Sequence, residues 1–191
     1  ILDGLRGVAA LMVVVFHIFE AHATSFIDQI VNHGYLAVDF FFLLSGFVIS
    51  YAYDDRWETL SFREFARRRI IRLQPMLIMG TIVGALLFYT QDSTLFPTIH
   101  SVPVWKVLGL MLIGFTLLPI PPSMDIRGWA EMHPLNGPAW SLFYEYVANI
   151  LYGLFIRKFS KTSLSVLVVL SGAALVHLLF TSPGGFVVGG W

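Results

Sequence analysis

Arg6 and His17 stand eleven residues apart in the apolar stretch LDGLRGVAALMVVVFHIF, residues 2–19. On a helix, eleven steps of about 100° return almost to the starting azimuth while advancing roughly 16 Å, so guanidinium and imidazole share one face at two depths. An imidazole placed this way can act as a general base on a hydroxyl once a carboxylate fixes its tautomer and stabilises its protonated form. Two carboxylates in apolar surroundings are available further along, Asp39 in GYLAVDFFFLLSGF and Glu145 in WSLFYE. In FARRRIIRLQP, Arg69 and Arg72 lie three apart, on one face of a helix start, with the geometry to grip phosphates bidentately.

The elements that must hold these residues are membrane spans. The 191 residues are 57% hydrophobic and 13% charged with a mean hydropathy of +0.75, whereas soluble domains carry about 25% charged residues. Basic and acidic residues balance, so no global field points to nucleic acid. Cysteine is absent, which removes disulfides, cysteine-ligated zinc and thiol nucleophiles from consideration. Five stretches approach the roughly 20 apolar residues that a crossing needs: 5–23, 36–53, 70–89, 142–156 and 164–180. A sixth, 104–118, is shorter and flanked by proline. Pro75 is expected in the first turns of the third span, where a missing N–H costs little, and Asp3 caps the first. The expected fold is therefore all-α, a polytopic transmembrane helix bundle of about five full spans plus one short or re-entrant segment. The first span lacks an A-x-A-type cleavage site and precedes further spans, so it is not read as a signal peptide.

Lysine and arginine set the orientation. Residues 54–72 hold Arg56, Arg63, Arg67, Arg68, Arg69 and Arg72 and are assigned to the cytoplasm, which puts the N-terminus and Arg6 there too. The loop RKFSK, residues 157–161, belongs on the same side, and a full crossing by 104–118 would break that parity, so this segment is expected to be half-inserted. Depth counting then places Arg6, Arg69 and Arg72 at the cytosolic mouth. It places His17, Asp39 and Glu145 in the outer half of the bundle. Intramembrane ionisable groups are costly and tend to be functional, although a structural hydrogen bond between helices is the competing reading for each one. The arginines have a competing role as topology anchors. Asp54 and Asp55 show no metal-ligand spacing, and His22, His33, His100, His133 and His177 read as loop or interfacial residues. No metal is expected. Phe40 to Phe42 suit lipid or helix packing, and Ser45 with Gly46 permits close helix approach without forming a nucleophile motif.

Four pieces in order resemble the integral-membrane acyltransferase family 3, whose members O-acylate sugars and other envelope or secreted molecules. They are the arginine, ten residues and histidine of Arg6 and His17; GYLAVDFFFLLSGFVIS with Gly34, Asp39, Phe41, Ser45, Gly46 and Phe47; R-x-x-R ahead of proline as Arg69, Arg72 and Pro75; and W-S-L-x-x-E as Trp140, Ser141 and Glu145. Gln74, Met76 and Leu77 depart from the residues more usual around that proline. The resemblance covers the chain to about residue 156 and implies a domain of about ten spans. Residues 1–191, which begin at Ile1 and stop after the glycine-rich SPGGFVVGGW, are accordingly expected to be a single partial transmembrane acyltransferase domain.

The resemblance implies transfer of an acyl group, most often acetyl, from cytosolic acyl-coenzyme A to a hydroxyl of a carbohydrate or other envelope acceptor, at a bacterial inner membrane with the N-terminus cytoplasmic. Arg69, Arg72 and Arg6 would meet the donor's phosphates, and His17 would serve as base or transient acyl carrier, with Asp39 or Glu145 orienting it. The expected partners are acyl-coenzyme A, the hydroxyl acceptor and the lipid bilayer, without nucleic acid. A proton-coupled transporter using His17, Asp39 and Glu145 as a relay is the rival from another class; it predicts paired inverted repeats, which the sequence lacks. A non-catalytic membrane scaffold is the third reading, and it would accept any apolar residue at position 17.

Overall fold

A computed structural model describes residues 2–20, 22, 29–92 and 96–181. The C-terminal stretch 182–191 and residues 21 and 23–28, including the end expected for the first span, lie outside the described residues. Those described are helical, joined by turns and short 3-10 segments, with no strand among them. The chain divides into two compact units, Ile1–Leu60 and Ser61–Trp191.

The first unit is an antiparallel hairpin of α1 (Leu2–Glu20) and α2 (Leu36–Tyr53). Few residues of this hairpin are buried, Ala9 and Phe16 on α1 and Ala37, Leu44 and Ile49 on α2. Leu11, Val14, Leu43 and Phe47 are exposed, as suits helices whose solvent is hydrocarbon. The hairpin is locked at its turn. Phe16 meets Tyr35 edge to face at 6.4 Å, and Gln29 Nε2 donates to the Phe16 carbonyl at 3.1 Å. Gly34 is required here, because an added Cβ would lie 2.8 Å from Phe16 Cγ.

The second unit is built on α3 (Phe62–Leu87), 26 residues and roughly 39 Å long. Ser61 caps it, its hydroxyl accepting from the Glu64 N–H at 3.2 Å. The helix thus begins eight residues before the apolar stretch that starts at residue 70. Pro75 is consequently inside the helix, not in its first turns, where it removes one backbone hydrogen bond. That corrects the expected position: the arginine-rich segment before Ile70 is too polar to register as a span, yet it is helical.

Alongside α3 lies α4 (Val104–Gly114), 11 residues and about 16 Å long. It starts near the C-terminal end of α3, where Tyr89 donates to the Val102 carbonyl at 2.7 Å. It ends halfway down, with Gly114 against Thr81 and the Phe115 carbonyl accepting from Gln74 Nε2. Leu117, at φ 61°, sits where the chain turns back. The return segment, residues 115–138, reaches the top again, where Arg127 donates to Gln91 at 2.9 Å and Lys106 to the Asp125 carbonyl at 3.1 Å. It then descends past Gly84 and Gly80 through Leu135 and Asn136. Phe88, Ile99, Val102, Val107, Leu110, Ile120, Ile126 and Leu135 form the core that holds this loop together. α4 thus runs about half the length of α3 before the chain turns back.

The loop feeds α5 (Ala139–Leu154), antiparallel to α3, with Ala139 and Leu77 in one apolar cluster and Gly153 against Phe62 and Phe65. Arg157 and Lys158 therefore emerge at the arginine-rich end of α3. The last helix, α6 (Lys161–Thr181), is apolar, with its described side chains exposed. Among the described residues four helices, α1, α2, α3 and α6, are long and apolar enough to cross a bilayer. α5, the fifth expected span, has 16 residues, about 24 Å, and falls short of ~30 Å of hydrocarbon by itself; the segment before it, through Leu135 and Asn136, continues its path along α3.

Candidate active site

In the first unit the α1 helix places His17 one turn before its C-terminal end, with Glu20 on the same face. Residues three apart on a helix are neighbours, and His17 Nδ1 lies 2.8 Å from Glu20 Oε2. An ionised carboxylate only accepts, so the bond assigns the proton to Nδ1 and leaves Nε2 with its lone pair, the form a general base requires. The His17 side chain is 41% exposed, so the ring is accessible. Glu20 was missed by the sequence reading, which sought the carboxylate on other helices; its i,i+3 spacing was the available signal. Asp39 lies in the exposed first turn of α2, and no hydrogen bond or ion pair joins it to His17 among the described residues. Arg6 is half-buried near the start of α1, 3.7 Å from Asp3.

In the second unit, Arg69 of α3 donates to Glu145 of α5 at 2.7 Å, with side chains 6% and 23% exposed. Depth counting had put these residues at opposite ends of the bundle, and the ion pair overturns that separation. Counting from Trp140 assumed that α5 starts at the membrane surface, whereas it starts beside Leu77, midway along α3. Arg72 is exposed, so the R-x-x-R pair does not present two guanidiniums side by side: one is engaged with a carboxylate and the other is open. Around the ion pair, Asn149 Nδ2 donates to the Glu145 carbonyl at 2.7 Å, and Tyr146 donates to Gln74 Oε1 at 3.1 Å.

The return segment carries polar groups that the sequence did not single out. Arg127 donates to Glu131 at 3.2 Å and to Gln91, and covers the Phe96 ring at 4.3 Å. Burial pushes the Glu131 carboxyl up despite Arg127 beside it. For Asp125 burial also acts upward, but hydrogen bonds from the backbone N–H groups of Arg127, Ala130, Ile126 and Gly128 outweigh it and hold the carboxyl below its usual range. His133, expected as a loop residue, is 3% exposed, and neither ring nitrogen has a hydrogen-bond partner among the described residues. It lines a cavity of about 10 Å³ with Thr81 and Asn136, and burial pushes its pKa down. Of the remaining sequence candidates, His33 pairs with Asn32, Asp54 with Ser50, and His100 with Asp92.

Comparison with known proteins bears on these positions. A family model described as an acyltransferase domain matches residues 1–191. The chain is 35% identical over 177 residues to "Protein 2 in picA locus" of Rhizobium radiobacter, covering 88% of each. It is 33% identical over 171 residues to "Acyltransferase MdmB" of Streptomyces mycarofaciens, covering 84% of this chain and 40% of that protein. It is 30% identical over 200 residues to "Putative peptidoglycan O-acetyltransferase YrhL" of Bacillus subtilis, covering 96% of this chain and 29% of that protein. The chain thus spans most of the first relative and less than half of the other two. No solved structure matches it. With apolar helices of spanning length and a family match along its whole length, the chain is a membrane protein of the acyltransferase family, a family of transferase enzymes.

Proposed function

We propose that the protein moves an acyl group, acetyl first among them, from cytosolic acyl-coenzyme A to a hydroxyl of a carbohydrate or other envelope or secreted acceptor. The observation that carries this reading is the hydrogen bond between His17 and Glu20. With Nδ1–H held by the carboxylate, Nε2 takes the proton of the acceptor hydroxyl as its oxygen attacks the thioester carbonyl; the C–S bond breaks, and the imidazolium returns the proton to the departing thiolate. Glu20 stabilises the transient positive charge on the ring. The open Arg72 is a cation for the donor's phosphates. The name of the Bacillus relative, with its peptidoglycan acceptor, supports a sugar hydroxyl, and the excess of arginine in residues 54–72 supports an N-terminus on the cytoplasmic side of a bacterial inner membrane.

The test is His17→Ala in the full-length protein, with acceptor O-acetylation read by mass spectrometry at matched expression. Loss of the acetylated product is expected. Wild-type acetylation by the variant overturns the reading in favour of a scaffold, and proton-coupled uptake of a solute by the purified protein overturns it in favour of a transporter.

A further inference from the structure

We infer that Arg69 and Glu145 are a matched pair of positioning residues that fixes the register of α5 against α3, and that Arg69 is not a ligand for the donor's phosphates; the second half rests on the acyl-transfer reading above. Three observations converge. First, the guanidinium is already neutralised by a carboxylate at 2.7 Å and its side chain is 6% exposed. A phosphate brought to Arg69 would have to displace Glu145 or sit beside its negative charge, and either route cancels the attraction that draws an anion to an arginine. Secondly, Arg72, one turn further on, is exposed. The two arginines of the motif thus divide the work, one holding the fold and the other facing the ligand.

Thirdly, the pair sits in a row of contacts that closes in a single register. Gly153 lies under Phe62, with Phe62 Cε2 2.9 Å from where its Cβ would be, and Phe65 meets Tyr152 at 6.0 Å. Arg69 meets Glu145, Gln74 meets Tyr146, and Leu77 clusters with Ala139. Sliding α5 by one residue would turn Glu145 about 100° away from Arg69 and leave both charges unmatched in apolar surroundings. Apolar contacts tolerate such a slip; a buried ion pair does not, and specifying register is the best-attested use of buried polar groups.

A charge exchange tests this. Arg69→Glu, Glu145→Arg and the double variant are compared in the full-length protein by thermal unfolding in detergent and by acetyl transfer against acetyl-coenzyme A concentration. Each single variant should lower the unfolding temperature by about 10 °C, and the exchange should recover most of it. The exchange should also keep the apparent KM for acetyl-coenzyme A within about threefold of wild type, while Arg72→Ala should raise it about tenfold or more. Recovery of stability with a KM raised tenfold or more by the exchange would make Arg69 a donor ligand and overturn the inference. Failure of the exchange to recover stability would overturn the pairing itself. Where a single variant does not accumulate, Arg69→Gln with Glu145→Gln replaces the singles, and an unfolding temperature unchanged from wild type counts against the pair. The unfolding arm reads the pair whether or not acetyl transfer is found, so a wild-type protein inactive with acetyl-coenzyme A sinks the functional reading separately.

Discussion

Gly84 of α3 meets the backbone carbonyl of Leu135: a side chain at position 84 would occupy the place of that oxygen. Gly80, one turn earlier, faces the Asn136 side chain, whose Nδ2 would lie 2.8 Å from an added Cβ. A pair of glycines four apart is familiar as a device for bringing two helices together, but here it admits the turn at Leu135 and the side chain of Asn136. Gly84→Ala must push that segment outward, and Leu135 belongs to the core uniting α4 with the top of α3. The expected cost is about 2–3 kcal/mol, against near neutrality for Gly109→Ala, where an added Cβ meets nothing within 4 Å. Detergent unfolding of both variants checks the difference.

Glu20 should matter to turnover more than to binding. Glu20→Gln retains the side-chain shape but no longer holds a charge opposite the imidazolium, so kcat should fall by about 10²-fold with little change in the KM for the donor. Steady-state acetyl transfer with purified protein gives both constants. A variant with wild-type kcat would move the orienting role elsewhere.

His133 predicts a pH dependence. Its folded-state pKa is pushed below the ordinary 6.5 by burial, so below about pH 6.5 the unfolded chain binds a proton that the folded chain resists. Stability carried by this residue is therefore intact at higher pH and is lost as pH falls. The unfolding temperature of wild type should drop more steeply between pH 7.5 and 5.5, a range of about two units around that value, than that of His133→Gln. Parallel curves would show that the ring titrates normally.

Ser61→Ala should cost about 1 kcal/mol, because it deprives the first turn of α3 of its cap without touching a buried group. Ser61→Asp should restore the loss, the carboxylate accepting the same N–H at a helix N-terminus. Unfolding of the pair separates the cap from general surface effects.

Much of this architecture was legible in the chain. The hydropathy of 36–53 marks α2 without error, and the short apolar stretch from residue 104 marks α4. What escaped has physical causes. The first eight residues of α3 escaped because hydropathy sees only apolar helix, and FREFARRR earns its helicity from Ser61 and from the Glu64–Arg68 pair at 2.5 Å. Glu145 was misplaced in depth because the starting level of α5 is set by the packing of Ala139 near Leu77, a tertiary fact invisible to residue counting. Arg69 and Arg72 share a helix face by spacing, yet burial separates them because Glu145 stands opposite only the first. The family itself was readable from four short motifs, since their order and spacing are set by which helices must carry them.

The half-length of α4 has a consequence for how such proteins can diverge. A hairpin that returns to the level at which it started, as Arg127 returns to Gln91, adds no net traverse to the path of the chain. Homologues can lengthen, shorten or delete the residues between Gln91 and Arg127, whose side chains meet at 2.9 Å, and still leave α5 running to the arginine-rich end of α3. The part of the molecule most open to remodelling is thus one whose variation leaves the sidedness of every later helix untouched.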